Sequence, residues 1–506
     1  MGGERRAALL VFLLLATVSA SLALRASLAP PRGTVFVGTF YYVDDFYNYL
    51  GYVEQAQRGA LLFRNKLADP GLPPALVNLE WLAVGWISAL LGGRPLLAYR
   101  LFGFLALAGL VVGIDRWLAR SGLPPGRRLA GLLLVGTGGG LGGLLLALGV
   151  LPGERALDVR TGAFPFVESV ANPHFVAGTA LLLAALGAFA AGRGGRGAAL
   201  GTVLGLVRPY DAALVAGIET LAVLLTTPAR EWPRRLLPVL ALGPVLAYDA
   251  WLFLAGPGFS VFSSPLYAAQ APAAGDLAVA LGPAALLALT AVRLRGGAGA
   301  GHRLRLALWA TLALLVVLVR PVSFSLQLVV GIGVPLLVLA AVGLARLPRG
   351  GLEGAVPPMA TTAAVVTWLC AAPSPGRHVP AERWQVAWAL REACRPGDVV
   401  LAPEDIGLYV AGLSPCWPYA SHAAAPDHHA RAAAVARFYG EARPEERAAF
   451  LDRAGVAHVV LPPGVPPGWL GPVTPFRPRL SVPGPRGGLV VHSRVRAAAP
   501  PPPARE

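Results

Sequence analysis

The sequence predicts an α-helical polytopic membrane protein with about ten to twelve transmembrane helices and a small C-terminal α/β domain outside the membrane. Three observations predict it. Over 506 residues the chain is 55% hydrophobic and only 14% charged, where a soluble domain carries about a quarter. Its apolar residues come in about ten runs of roughly 20, the length a helix needs to cross about 30 Å of hydrocarbon. Beyond residue 372 these runs stop, and short strand and helix patterns alternate instead.

The net charge of +16 does not read as a nucleic-acid surface. The basic residues are nearly all arginine and sit in short links between apolar runs, as the positive-inside rule expects. The apolar run 7–24 behind MGGERR reads as a first transmembrane helix. The other reading is a signal peptide cut near Ser19-Ala20-Ser21, but multipass proteins rarely need a cleaved signal. Either way the next segment is placed outside the cytoplasm. Three cysteines, Cys370, Cys394 and Cys416, match no metal spacing. Cys394 and Cys416 could pair if their domain lies outside the cytoplasm, but spacing alone does not pair them.

A polar, aromatic outer loop spans 30–75, and apolar segments follow at 76–92, 96–114, 129–151, 173–192, 198–208, 210–227, 236–255, 277–292, 305–319, 327–345 and 355–372. The basic links 193–196, 229–235, 293–305 and 346–350 are expected in the cytoplasm, which leaves 256–276, 320–326 and everything after 373 outside. Segments 198–208 and 210–227 then form a hairpin whose tip, Arg208-Pro209-Tyr210-Asp211, dips into the membrane from outside. If 115–128 is also cytoplasmic, either 76–92 or 96–114 is not a full crossing; Asn78 and Glu80 make 76–92 the re-entrant candidate. The alternative is that the charge rule fails at this loop. The glycine run GTGGGLGG at 136–143 lies in an apolar segment and reads as close helix packing or a break, not a phosphate loop.

Residues 1–372 are thus expected to form the membrane domain, 373–496 a soluble α/β domain, and 497–506 a disordered Pro-rich tail. In the soluble part an amphipathic helix, AERWQVAWALREAC, leads into the buried-strand pattern GDVVLAP. Helical DIGLYVAGL, two helices through 430–454 and a second strand, VAHVVLP, follow. His422, Asp427, His428 and His429 lie close enough to suggest a metal site, but adjacent histidines on a helix point apart, so they are read as solvated loop residues.

Chemistry-bearing residues gather on the outer side. Asp44 and Asp45 stand among Tyr42, Phe46, Tyr47 and Tyr49 just past the first membrane helix; the bland alternative is an interfacial aromatic belt with solvated acids. A continuing helix would put Asn48, Tyr52 and Gln55 on one face. Asp158 and Glu168 occupy the 152–173 loop, and His174 opens the next helix. Arg208 and Asp211 mark the hairpin tip, and Arg320 and Gln327 border the last outer loop. Carboxylates can take a hydroxyl proton, and arginine forks match phosphate oxygens.

The segments VDDFYNYLGYVEQAQRG and LPPALVNLEWLAVGWISALLGG resemble the acidic first outer loop and following helix of the GT-C superfamily of polytopic glycosyltransferases. GGGLGG, ANPHF and RPYD resemble patterns in uncharacterised bacterial members. The likeness covers roughly 1–372 and rests mainly on a short motif and hydropathy. It implies a GT-C-like fold in the plasma membrane and a polyprenyl-phosphate sugar donor within the membrane lipid. It also implies transfer with inversion to a glycan, lipid or protein acceptor. Asp44 or Asp45 would be the base; Asn48, Gln55, Asp158, Glu168, His174, Arg208, Asp211, Arg320 and Gln327 would bind substrate. Metal ions assist some family members, but no residue pattern here specifies one, and no cofactor is expected. Two rivals share the multipass build: a transporter or lipid flippase, which inverted repeats would favour, and a non-catalytic scaffold, which predicts no convergence of polar groups.

Overall fold

The computed structural model describes residues 3–260, 272–294, 296–297, 299–321, 325–348, 350–422, 425, 427–462, 464–466, 469–471, 475–484 and 488–495. The tail at 497–506 lies outside the described residues.

The chain is a helical bundle with a small sheet region at its C-terminal end. Among the described residues, eight helices are long and apolar enough to cross a membrane, or nine if the bent pair Ala229–Leu240 and Gly243–Ala255 counts as one span. That is fewer than the ten to twelve expected, because three apolar segments are short or broken. Segment 129–151 splits into α5 (Arg128–Thr137) and α6 (Gly142–Ala147), with the glycine run between them. A Cβ on Gly139 would lie 2.2 Å from Thr362, and one on Gly140 2.0 Å from the Ala280 carbonyl. The run is therefore both a break and a close-packing point. Segment 198–208 gives only the twelve-residue α10 (Gly194–Gly205), and segment 76–92 the twelve-residue α3 (Leu79–Leu90).

Helix α3 resolves the crossing count. The links after α4 (Pro95–Arg120) and around 293–303 and 345–350 meet at one end of the bundle. Arg303 donates to the Ser121 carbonyl at 2.8 Å, Arg127 to Ala345 at 3.1 Å and Arg346 to Gly122 at 3.5 Å. Residues 115–128 thus share an end with the other basic links, and α3, about 18 Å long, is the segment that does not cross. It packs instead on α2 (Val43–Gln57), where Gly85 faces Ala56 with no room for a side chain.

In the C-terminal part, β3 (Val399–Leu401) lies parallel to β4 (Trp417–Pro418) and β5 (Val456–Leu461); β7 (Leu489–Arg494) joins β5 antiparallel, and β6 (Phe476–Val482) joins β7. The order is β4-β3-β5-β7-β6. The strands at 399–401 and 456–461 match the sequence patterns; β6 and β7 were hidden by prolines and arginines. Cys394 and Cys416 are joined in a disulfide.

The sheet region docks directly on α2. Tyr47, fully buried, stacks edge-on with Tyr409 at 4.8 Å and accepts a hydrogen bond from the Trp384 indole at 2.7 Å. Gly412 leaves room for Tyr47, and Gly51 brings α2 against the Ala411 carbonyl. Buried Lys66 bonds Glu54 at 3.0 Å and the carbonyls of Ala411 and Ser414 at 3.2 and 2.7 Å. The strand pair β1 (Thr34–Phe36) and β2 (His378–Pro380) closes the same junction.

Candidate active site

A cavity of about 830 Å³ opens where the start of α2 meets the bundle and the sheet region. Its polar lining comes from Asp44, Asp45, Asn48, Asn78, Glu154, Arg160, His174, Asp249, Gln327 and His422. Its walls are aromatic: Tyr42, Tyr49, Tyr52, Trp81, Phe175, Tyr210, Phe253 and Phe259.

Local sequence sets the acids. Tyr42, in the left-handed region at φ 50°, turns the chain into α2, and its hydroxyl bonds the Arg160 carbonyl. Asp44 and Asp45 then fall in the first turn, where carboxylates complement the positive helix end. Adjacent residues on a helix diverge, and these two do. Asp45 approaches the aromatic interior: burial raises the Tyr49 phenol well above its ordinary value, and Asp45 raises it further. Asp44 is exposed and faces the sheet region, where burial and then Asp44 push Tyr409 up to about 12. Across the cavity, His422 Nε2 lies 3.7 Å from Asp45 Oδ1, and the His422 side chain is only 11% exposed. His422 is therefore part of the cavity and not the solvated loop residue expected; a segment 377 residues after Asp45 could not be placed beside it from sequence.

Two asparagine caps aim a second pair. Asn78 caps α3 by accepting from the Glu80 and Trp81 amides at 3.0 and 3.1 Å. Asn172 caps α9 (Pro173–Ala190) by accepting from the His174 amide at 3.1 Å. Glu80 and His174 thus occupy the second position of their helices and meet, His174 Nδ1 to Glu80 Oε2 at 2.7 Å. An ionised carboxylate only accepts, so Nδ1 carries the hydrogen in this pair, and the imidazole lines the cavity. Stacking on Trp81, at 5.2 Å between ring centres, holds the imidazole in place.

Of the residues expected to bind substrate, Asn48, His174 and Gln327 line this cavity together with Asp44 and Asp45. The others do not. Gln55 lies about 10 Å along α2 from Asn48, where it braces the Arg64 backbone through bonds of 2.9 and 3.0 Å. Asp158, fully buried, takes hydrogen bonds from the Gly143 amide at 3.1 Å and the Thr362 hydroxyl at 2.8 Å, clamping the broken segment. Glu168, Arg208 and Asp211 form a buried cluster behind the cavity wall. Arg208 is 1% exposed, lies 3.3 Å from Asp211 at i+3, donates to the Gln327 carbonyl and covers the Phe175 ring. Gly178 makes room for its stem. Burial pushes the Glu168 carboxyl well above its ordinary value, with Arg208 pulling it back. The hairpin tip is thus buried as expected, and its arginine lies inside the fold with Nη1 buried and without a hydrogen-bond partner among the described residues. Arg320 ends α15 (Ala300–Val319) at φ 57°, exposed, with its guanidinium on the Pro272 carbonyl at 2.9 Å.

Arg160 was missed. It ends the four-residue α7 (Leu157–Arg160), whose single turn sends Asp158 into the core and Arg160 to the cavity. Glu80 was seen only as a polar interruption. The Asn-X-Glu and Asn-Pro-His starts were the available signals.

At the cavity, Asp45 and His422 could offer donors to a divalent cation. Elsewhere among the described residues the one grouping with ligand spacing is Cys394, Cys416 and His458, and its two sulfurs are already joined.

No protein-family model and no curated protein matches the sequence. Solved structures do. ArnT from Cupriavidus metallidurans, bound to undecaprenyl phosphate, is similar with a TM-score of 0.54 and 16% identity over 98% of this chain and 99% of its own. The mycobacterial arabinofuranosyltransferase AftD is similar with a TM-score of 0.54 and 16% identity over 96% of this chain, which spans 40% of AftD. The oligosaccharyltransferase AglB of Archaeoglobus fulgidus, in complex with an inhibitory peptide and a dolichol-phosphate, is similar with a TM-score of 0.53 and 12% identity over 90% of this chain and 69% of its own. At such identities the likeness is one of fold, and across nearly its whole length the chain has the GT-C fold of polytopic membrane proteins.

Proposed function

We propose that the protein transfers a sugar from a polyprenyl-phosphate donor to a hydroxyl acceptor, with Asp45 as general base. The observation that carries this reading is the cavity itself. It brings a carboxylate, an arginine and an imidazole together where the helical bundle meets the sheet region, between aromatic walls. The acceptor hydroxyl gives its proton to Asp45 as its oxygen attacks the anomeric carbon. The bond from that carbon to the phosphate oxygen breaks, and polyprenyl phosphate leaves with the electron pair. Arg160 is the cationic group placed to meet its developing charge. Arg208 and Arg320, the arginines expected there from sequence, are given no such part. ArnT and AglB, similar in fold, were solved with undecaprenyl phosphate and a dolichol-phosphate, which supports a lipid-linked donor.

Arg160→Gln keeps a polar side chain but removes the charge and the guanidinium fork. It is expected to raise the donor KM about tenfold, the loss of one charge-assisted hydrogen bond, with the acceptor KM unchanged. An unaltered donor KM would remove Arg160 from the phosphate site.

We also place the sheet region outside the cytoplasm of a plasma-membrane protein, because the basic links share the opposite end of the bundle. Alkaline phosphatase fused after Glu506 should be active; a well-expressed, inactive fusion would refute the placement.

A further inference from the structure

A second cavity, of about 810 Å³, runs down the outside of the bundle. Helix α9 is its floor, and α4 and α10, which both pack on α9, are its walls. On α4 the lining residues recur at helical spacing from Phe102 to Arg120, about 27 Å of rise. Small residues, among them Ala180, Ala184 and Gly187, make up most of the floor beside Leu181 and Leu183, so the groove is deep as well as apolar. Gly187 also leaves room for the Arg120 guanidinium, which a Cβ there would meet at 3.4 Å.

One end of this groove is strongly cationic. Arg116 and Arg120 close α4, and Arg193 and Arg196 stand at the start of α10. All four are exposed, and among the described residues none has an acidic partner, whereas Arg128 and Arg305 on the same end of the bundle do. Four unneutralised guanidinium groups at the mouth of an apolar groove match one kind of occupant: an anionic headgroup carrying an acyl chain.

We propose that this groove binds an anionic glycerophospholipid, its phosphate among Arg116, Arg120, Arg193 and Arg196 and one acyl chain along α9. An acyl chain covers half of the roughly 30 Å hydrocarbon core, and the groove is longer than that. The headgroup site is distinct from the catalytic cavity, although the far end of the groove reaches Glu80 and Val207, and Val207 lines that cavity too. A lipid whose phosphate lies among these arginines has its head at the basic end of the bundle, a membrane thickness away from Asp45. The inference does not depend on the proposed transfer reaction.

The test uses the purified, delipidated full chain in neutral detergent. Phosphatidylglycerol and phosphatidylcholine with identical acyl chains are compared by thermal unfolding, with bound lipid counted by native mass spectrometry. Phosphatidylglycerol is expected to raise the unfolding temperature by roughly 3–5 °C, and phosphatidylcholine by less than 1 °C. The double variant R193Q/R196Q, altered only at exposed positions, should unfold at the wild-type temperature without lipid and lose most of the difference. The quadruple variant that adds R116Q and R120Q should lose all of it. Equal stabilisation by the two lipids, full preference retained by the double variant, or the same shift with inorganic phosphate alone would each overturn the proposal. So would displacement of phosphatidylglycerol by a polyprenyl phosphate at equal concentration, which would make the groove a carrier site.

Discussion

Asp45→Asn is expected to lower sugar transfer by about 10²- to 10⁴-fold, the usual cost of removing a general base, while the protein inserts and folds as wild type. The carboxylate sits in the first turn of α2 and is half-exposed to the cavity, and its ion-pair contact, His422, lies 3.7 Å away. The amide is isosteric, and losing the charge at the helix end costs only about 0.3–1 kcal/mol of stability, so the loss reports proton transfer and not packing. Asp44→Asn is expected to have a much smaller effect. Asp44 is turned toward Tyr409 and the sheet region, away from the aromatic interior that Asp45 approaches. His422 adds a check, since it reaches Asp45 from the sheet region. If Asp44→Asn proves the inactive variant and Asp45→Asn the active one, the assignment within the pair is reversed.

The second large effect is on stability. Glu54→Leu is expected to cost about 3–5 kcal/mol, because it leaves the Lys66 ammonium buried without a counter-charge. Lys66 is 4% exposed, and its remaining partners are two backbone carbonyls of the sheet region. Arg58, the other partner of Glu54, is 44% exposed and simply returns to water. Replacing both members, as Glu54→Leu with Lys66→Met, should recover most of the loss, since a packed apolar pair avoids the desolvation cost. Thermal unfolding of the four proteins gives the coupling directly, and an additive double variant would contradict it. The pH dependence has a definite sign. Burial alone would raise the Glu54 carboxyl, but Lys66 and Arg58 outweigh it and hold it below its ordinary value. The unfolded chain therefore binds that proton more tightly. The stabilisation is complete above the ordinary glutamate pKa of about 4.3 and is lost as pH falls through the lower folded value. Glu54→Leu should abolish this acid-range component.

Much of the architecture was legible because bilayer physics writes it plainly. Long apolar runs and arginine-rich links gave the helices and their ends, and the re-entrant candidate at 76–92 is α3, which does not cross. The site was legible only in part. Asp44, Asp45, Asn48, His174 and Gln327 stand on the cavity, in or beside the short polar stretches where hydropathy breaks the apolar runs. Arg208 and Asp211 looked the same in sequence, yet their i, i+3 spacing pairs them with each other inside the bundle. Hydropathy finds a polar group in an apolar stretch but not the direction it points. Asp158 and Arg160 make the same point within one helical turn. His422 was out of reach, because only the docking of Tyr47, Lys66 and Gly412 brings the sheet region over α2.

The most direct test of the central claim is a reconstituted assay. Purified protein in liposomes is given a polyprenyl-phosphate sugar labelled in the sugar, together with candidate hydroxyl acceptors, and both product and transbilayer movement of label are followed. Wild type should release polyprenyl phosphate and form labelled product, and Asp45→Asn should form none while folding normally. Label that crosses the bilayer still attached to its carrier, at equal rates in both proteins and without product, would contradict the account and identify a transporter.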